Sequence, residues 1–197
     1  MSRAALSELI LASTSTYRRA LVERLGLRFR CEAPPFDEAA FPREGLSPRA
    51  LAEALARGKA ESVFNASSNA VVIGSDQLVS FQGRVFGKPG TAAGAVEQLA
   101  VMSGKAHELI TAMVVIAPER RFEHTDVTRL TMRTLDRPAI ERYVERDRPL
   151  DCAGSYKLEQ GGVTLFDRIE SEDQTAITGL PLLALTRILA ELGFNVP

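Results

Sequence analysis

Residues 9–18 read LILASTSTYR, and this stretch sets the first pair of elements in the fold. The apolar run Leu9–Ala12 is short and rich in branched side chains, which predicts a buried strand. The hydroxyl residues that follow can cap a helix that begins near Thr16. Apolar residues then recur every four positions up to Leu25, and Gly26 ends the helix. The chain therefore opens as a strand, a polar loop and an amphipathic helix.

Strand-like and helix-like segments alternate along the rest of the chain. The predicted strands are Arg28–Glu32, Ala70–Ser75, a hairpin within 78–88, Glu108–Ala117, Phe122–Thr134 and Val163–Ile169. The predicted helices are Thr16–Leu25, Pro48–Asn65, Thr91–Ser103, Pro138–Arg146 and Pro181–Leu192. Because two of the strand pairs are hairpins, we expect an α/β protein with a mixed β-sheet flanked by helices. No repeat or linker interrupts the pattern, so we expect a single α/β domain over residues 1–197.

The composition is that of an ordinary soluble globular protein. The 197 residues include 24 basic and 25 acidic side chains, for a net charge of −1. This balance gives no global field toward nucleic acid or an anionic membrane, so any phosphate-binding charge must be local. Cys31 and Cys152 are expected to be free, buried thiols in preference to a disulfide, and two histidines are too few for a multi-histidine zinc site. No apolar run is long enough to span a bilayer, and we expect a cytoplasmic protein.

The loop after the first strand is a candidate phosphate site. A strand that leads into a helix N-terminus exposes unpaired N–H groups and the positive end of the helix dipole. Ser13 and Ser15 add hydroxyl donors, and the Arg18 guanidinium can bind two phosphate oxygens. The alternative is that the serines only cap the helix and that Arg18 is solvated. A Walker A pattern and a GxGxxG pattern are both missing from the sequence.

One carboxylate and two lysines lie near the ends of other predicted elements. Asp76 follows a β-branched strand, where it can hold a divalent metal or activate water, or can simply form a turn. Lys88 lies between Gly87 and Pro89, which excludes an ordinary helix or central strand at this point. Lys59 is the weaker lysine candidate, because most lysines on helices are only solvated.

Further carboxylates occur in the loop 33–46, which contains three prolines. Asp37 and Glu38 are either solvated or provide a second carboxylate opposite Asp76. The segment 151–161, DCAGSYKLEQG, places acidic, basic and small polar residues beside glycine, where the backbone can approach a ligand closely. Chemistry on a polyphosphate needs cations that neutralise the phosphates and carboxylates that hold Mg²⁺ and position water. These residues together indicate an enzyme that acts on a small phosphorylated molecule.

Six short motifs resemble, in order, those of the Maf-type nucleotide pyrophosphatases, a family once named for septum formation. They are Ser13-Thr14-Ser15-x-x-Arg18, Asp37-Glu38, Lys59-Ala60, Gly74-Ser75-Asp76, Gly87-Lys88-Pro89 and Gly179-Leu180-Pro181. The resemblance spans almost the whole chain and implies a two-lobed, mixed α/β fold of the Maf/ITPase type around a cleft, with frequent homodimers. It also implies that a nucleoside triphosphate is hydrolysed between its α and β phosphates with a divalent cation, Mg²⁺ or Mn²⁺.

The resemblance assigns roles to individual residues. Asp76 is the proposed proton acceptor. The residues implied to line the phosphate and metal region are Ser13, Arg18, Glu38, Lys59 and Lys88. Asp76 and Glu38 are equally suited to be metal ligands, in which case the metal itself would lower the pKa of the attacking water.

Three positions, Tyr17, Gln77 and Glu159, are the specificity positions that the resemblance implies. Members that act on dTTP and UTP usually carry threonine where this chain has Gln77, and the segment Cys152–Glu159 is similar to the branch that hydrolyses 7-methyl-GTP. N7-methylguanine is cationic, so Tyr17 can stack on it and Glu159 can accept its N–H groups while offsetting its charge. Gln77 can donate to and accept from a base edge.

The chain departs from that branch at one position. Tryptophan is expected where Tyr17 stands, and tyrosine is a weaker cation–π partner. Tyr17 can alternatively be a core residue of the first helix.

From the resemblance as a whole we expect a 7-methyl-GTP pyrophosphatase. The alternatives are a dTTP, UTP or CTP pyrophosphatase and a nucleotide-binding regulator of cell division.

Overall fold

A computed structural model describes residues 8–64 and 70–196. Its strands are β1 (Glu8–Ala12), β2 (Arg30–Glu32), β3 (Ala70–Phe81), β4 (Arg84–Phe86), β5 (Ala106–Ala117), β6 (Arg120–Met132) and β7 (Phe166–Glu170). Its α-helices are α1 (Thr16–Glu23), α2 (Pro48–Phe64), α3 (Ala92–Met102), α4 (Arg137–Asp147), α5 (Gln174–Ile177) and α6 (Leu182–Glu191). Two short 3₁₀ helices, Ala153–Ser155 and Gly161–Leu165, lie between α4 and β7.

The strands form one seven-stranded mixed sheet, as the sequence predicts. The order is β2-β1-β3-β5-β6-β7, with β4 paired to β3. The β1 strand is parallel to both β2 and β3, whereas the β3–β4 and β6–β7 pairs are antiparallel. The α/β class and the mixed sheet are therefore confirmed.

The chain divides into two compact units. The first unit comprises residues 1–76, 111–126 and 173–197, and the second comprises residues 77–110 and 127–172. The expected single domain over residues 1–197 stays a prediction.

The core of the first unit packs helices α1 and α6 against strands β1, β3 and β5. On α6 the predicted apolar stripe is present: Leu182, Leu185 and Leu189 are buried, and Leu192 packs against them. On α1, Leu21 is buried, whereas Tyr17 of the same predicted stripe is only half-buried. Burying these apolar faces stabilises the fold by about 25 cal/mol for each Å² of apolar surface removed from water. It also fixes the strand ends that precede the polar loops.

The second unit contains a small aromatic cluster. His107, Tyr156 and Phe166 are in mutual ring contact, with the His107 Nε2 atom 3.1 Å from the Tyr156 hydroxyl oxygen. Burial lowers the pKa of His107 to about 4, so its imidazole is neutral at physiological pH. This histidine is a core residue of the unit.

Several boundaries differ from the prediction. The predicted strand Val163–Ile169 begins only at Phe166, because 161–165 turns as a 3₁₀ helix, and the short helix α5 was not predicted. The helix predicted to end at Asn65 is described to Phe64, since Asn65 lies outside the described residues. Both cysteines are free, as expected, but the prediction of burial is wrong for Cys31, which is exposed on the three-residue strand β2, and Cys152 is only half-buried.

Candidate active site

A glycine allows helix α2 to approach strand β3 closely in the first unit. A Cβ atom placed on Gly74 would lie 2.5 Å from the carbonyl oxygen of Ala56 and 2.7 Å from the Cβ of Ala60. No side chain fits in that space, so only glycine allows this approach of helix to strand. The contact sets α2 beside Asp76, two residues further along β3.

Lys59 of α2 lies between two carboxylates. Its Nζ is 2.6 Å from Asp76 Oδ1 and 2.9 Å from Glu38 Oε1. Lys59 and Asp76 are buried, whereas 48% of the Glu38 side chain is exposed. A buried charge is tolerated when it is paired, and here one ammonium joins the two predicted site carboxylates. The alternative that Lys59 is only solvated is therefore wrong.

The loop that carries Glu38 is seated on α2 by an aromatic ring. A Cβ atom on Gly58 would lie 2.3 Å from the Phe36 ring, so this ring rests directly on the helix backbone. Asp37 points into its own loop, where Oδ1 accepts the N–H groups of Ala39 and Ala40. Asp37 therefore shapes the loop, while Glu38 reaches Lys59.

Arg18 is linked to Ser75 in the same unit through a shared backbone carbonyl. Its Nε donates to the carbonyl oxygen of Gly179 at 2.9 Å, and the Ser75 hydroxyl donates to the same oxygen at 3.0 Å. Burial lowers the pKa of Arg18, while the carboxylates of Asp76 and Glu38 act in the opposite direction. Among the described residues no hydrogen bond or ion pair engages its two Nη groups, so this side of the guanidinium can receive an anion.

Asp173, which was not predicted from the sequence, holds the segment that presents Gly179. Its buried carboxylate accepts from the backbone N–H and the hydroxyl of Thr175 through Oδ1 and from the Leu183 N–H through Oδ2. The Thr175 hydroxyl oxygen in turn accepts the Leu182 N–H. The available signal was an aspartate two residues before a threonine at a helix start, which is an N-cap pattern.

The two serines of the first loop accept hydrogen bonds from backbone N–H groups. Ser15 is the N-cap of α1, and its Oγ accepts the Arg18 N–H at 3.3 Å. Ser13 is buried, and its Oγ accepts the Ser15 N–H at 3.1 Å. The capping alternative is thus correct for Ser15, and neither serine hydroxyl donates to a residue within 8–64 or 70–196.

The remaining predicted residues are distributed over both units. Tyr17 is half-buried on α1 of the first unit. In the second unit, Gln77 is half-buried on β3, Lys88 is exposed in the loop after β4, and Glu159 is exposed between the two 3₁₀ helices. Burial raises the pKa of Cys152 to about 12, and neighbouring Asp151 adds to this, so its thiol is not a nucleophile at neutral pH.

The carboxylates of the first unit have the right chemistry for a divalent cation. Within residues 8–64 and 70–196 no group of three or more His, Cys, Asp and Glu side chains is arranged to hold a metal ion. Asp76 and Glu38 nevertheless bind the same ammonium, so their oxygens converge on one point. Mg²⁺ is commonly held by one or two carboxylates together with waters and substrate phosphates. The Lys59 ammonium occupies that point, so Asp76 and Glu38 have suitable oxygen chemistry for the cation, but the cation itself stays a prediction.

Comparisons with known proteins show similar sequences over nearly the whole chain. The family model described as "Maf-like protein" matches residues 8–192. A "7-methyl-GTP pyrophosphatase" of Bdellovibrio bacteriovorus is 52% identical over 182 residues, covering 92% of this chain and 95% of the relative. A protein of the same name from Xanthomonas oryzae pv. oryzae is 48% identical, covering 98% of this chain and 100% of the relative.

A solved structure, that of a HAM1 protein from Coxiella burnetii, aligns with a TM-score of 0.49 at 13% identity and covers 94% of this chain and 99% of that one. None of the helices in the described part of the chain has the length and apolar character needed to cross a membrane. The match to the family model over nearly all of the sequence, and the two close relatives, show that the chain belongs to the Maf family.

Proposed function

We propose that this protein is a nucleoside triphosphate pyrophosphatase that hydrolyses 7-methyl-GTP to 7-methyl-GMP and diphosphate. The observation that supports the chemistry best is the group formed by Lys59, Asp76 and Glu38, with one ammonium between two carboxylates. The relatives that are 52% and 48% identical are both named for this activity. Such identity over nearly the full length supports the same reaction here.

The first unit supplies both signs of charge that the reaction requires. Lys59 and Arg18 carry two positive charges, and Asp76 and Glu38 carry two negative ones, so these four groups balance before substrate binds. The Nη groups of Arg18 would bind phosphate oxygens in a bidentate manner. A divalent cation held by Asp76 and Glu38 would supply the additional positive charge that a triphosphate needs.

Asp76 is the residue that we assign as proton acceptor. Its Oδ1 accepts from the Lys59 ammonium at 2.6 Å, which leaves Oδ2 to receive a proton from the attacking water. The water attacks the α-phosphorus, the bond to the bridging oxygen breaks, and diphosphate leaves with the electron pair. The charge that develops on the phosphate oxygens is stabilised by Arg18 and Lys59.

Base recognition is assigned to Tyr17, Gln77 and Glu159. N7-methylguanine carries a positive charge, so a stacked tyrosine ring contributes roughly 0.5–2 kcal/mol and a carboxylate offsets the charge. The exposed position of Glu159 leaves its carboxylate accessible to a ligand. We also infer a homodimer from the resemblance, and we keep the cytoplasmic location that is expected from the sequence. Light scattering coupled to size-exclusion chromatography tests the dimer.

The test is diphosphate release with Mg²⁺ or Mn²⁺ from 7-methyl-GTP, GTP, UTP, CTP and dTTP. We expect preference for 7-methyl-GTP and loss of turnover in Asp76→Asn and Glu38→Gln. Glu44→Gln is the matched control, because Glu44 is an exposed glutamate of the same loop as Glu38. Preference for a pyrimidine nucleotide would reject the base assignment, and no turnover of any nucleotide would favour the regulator of cell division.

A further inference from the structure

The loop that carries Glu159 is attached to helix α4 on both sides within the second unit. The backbone N–H of Lys157, two residues before Glu159, donates to the Tyr143 hydroxyl at 2.9 Å. The backbone N–H of Gly161, two residues after Glu159, donates to Asp147 Oδ2 at 2.8 Å. Tyr143 and Asp147 are one helical turn apart, so a single face of α4 holds both flanks of the loop.

The loop between these two attachments is a closed turn. The Lys157 carbonyl oxygen accepts the N–H groups of Gln160 at 3.1 Å and of Gly162 at 2.9 Å. A Cβ atom on Gly162 would lie 2.4 Å from that same carbonyl oxygen, so the turn requires glycine there. Glu159 lies at the tip of the turn and is exposed. Its own side chain is solvent-accessible, but the backbone that carries it is fixed.

The two acceptors on α4 are themselves held in place. Tyr143 is 4% exposed, and burial raises the pKa of its hydroxyl, which therefore stays protonated. The Asp147 side chain is 5% exposed, and its other oxygen accepts from the Arg146 guanidinium. A Cβ atom on Gly161 would lie 1.6 Å from Arg146 Nη2 and 2.8 Å from Asp147 Oδ2, so a side chain here would displace Arg146 and crowd Asp147.

We infer that Tyr143 and Asp147 are positioning residues that determine nucleotide specificity by fixing Glu159. The inference rests on the proposed function, in which Glu159 reads the cationic base. A carboxylate discriminates a charged, hydrogen-bonding base edge only if it is held in place, because the bonds are short and directional. Loosening either attachment should reduce the preference for 7-methyl-GTP over GTP without abolishing hydrolysis.

The experiment measures kcat/KM for 7-methyl-GTP and for GTP in Tyr143→Phe and Asp147→Ala. Each variant should lower the ratio of the two values roughly tenfold, the size of effect expected for one misplaced charge-assisted hydrogen bond. The kcat for GTP should stay close to that of the wild type. Asp147→Asn should recover much of the ratio, because its amide oxygen can still accept the Gly161 N–H.

Two comparisons separate positioning from a merely structural role. In a Glu159→Gln background, Tyr143→Phe should lower the ratio no further, since the group that it positions is already altered. Glu141→Gln is the control on the same helix, because Glu141 is exposed and pairs only with Arg137 among the described residues. Thermal unfolding of every variant accompanies the kinetics, and Tyr143→Phe alone carries the test if Asp147→Ala does not fold.

The outcomes distinguish this inference from the proposed function. A wild-type enzyme that shows no preference for 7-methyl-GTP would reject the proposed specificity, and the inference with it. A wild-type preference that Glu159→Gln removes, but that Tyr143→Phe and Asp147→Ala leave intact, would overturn the inference alone. Equal losses with and without Glu159→Gln would also overturn it, because the two residues would then act by another route.

Discussion

Replacing Gly74 with alanine tests whether the contact between α2 and β3 controls the chemistry. The added Cβ atom would lie 2.5 Å from the Ala56 carbonyl oxygen and 2.7 Å from the Ala60 Cβ, where ordinary contact begins at 3.4 Å. The nearest atom belongs to the helix backbone and cannot rotate away. The helix must therefore move by about 0.9 Å, or the strand must bend by as much.

The displacement has two consequences. Overpacking of this kind costs about 1–3 kcal/mol of unfolding free energy. The same shift moves Lys59 relative to Asp76, whose 2.6 Å bond does not tolerate a change of that size. Misplacement of a catalytic group by about 1 Å costs roughly 100-fold in rate, so we expect a comparable loss in kcat/KM.

The assay combines urea unfolding with diphosphate release from the preferred nucleotide. Gly87→Ala is the control for stability, because a Cβ atom at Gly87 meets nothing within 4 Å. A Gly74→Ala protein with wild-type kcat/KM would refute the reasoning, since the position of α2 would then not govern Lys59. A protein with lower activity and unchanged stability would refute the packing argument and leave only a local effect on Asp76.

Three further predictions concern individual charges. Lys59→Met leaves the buried Asp76 carboxylate without its ammonium, so the unfolding free energy should fall by about 3–5 kcal/mol in urea titration. Adding Asp76→Leu should restore part of this stability but no activity. Because burial lowers the pKa of His107 from 6.5 to about 4, stability should be full above pH 6.5 and fall by roughly 3 kcal/mol as the pH approaches 4. Calorimetry should show a smaller acid loss in His107→Gln, and an equal loss would contradict the assignment. Arg18→Lys keeps the charge but not the planar fork, so KM for the triphosphate should rise about tenfold, and an unchanged KM would count against phosphate binding.

Local signals in the sequence were sufficient for most of the fold. The apolar run Leu9–Ala12 and the hydroxyl residues after it predicted β1 and the start of α1, because strand burial and helix capping are decided by neighbouring residues. Residues 163–165 were wrongly predicted as strand, since the two glycines before them belong to a turn that closes on Lys157. That closure depends on α4, which no pattern within the segment reports.

Contacts between residues that are far apart in the sequence explain why some site residues were predicted and another was missed. Asp76, Glu38 and Lys59 were named from residue type and resemblance, but their joint ion pair depends on how α2 meets a strand and a loop. The role of Asp173 was missed because its effect on Arg18 passes through the carbonyl of Gly179, an atom that every residue possesses. A backbone carbonyl that acts as an acceptor therefore cannot be recognised from residue types.

The positions of the charges in the first unit depend on residues that have no side chain. Gly74 lets α2 approach the strand that carries Asp76, and Gly58 lets the Phe36 ring seat the loop that carries Glu38. Lys59 follows Gly58 directly, so both close contacts converge on the one residue whose ammonium joins the two carboxylates. Each glycine therefore controls a different carboxylate: a change at Gly74 acts on the buried pair with Asp76, whereas a change at Gly58 acts on the exposed pair with Glu38. Because a buried pair is screened less by water than an exposed one, we expect a change at Gly74 to lower kcat/KM more than a change at Gly58.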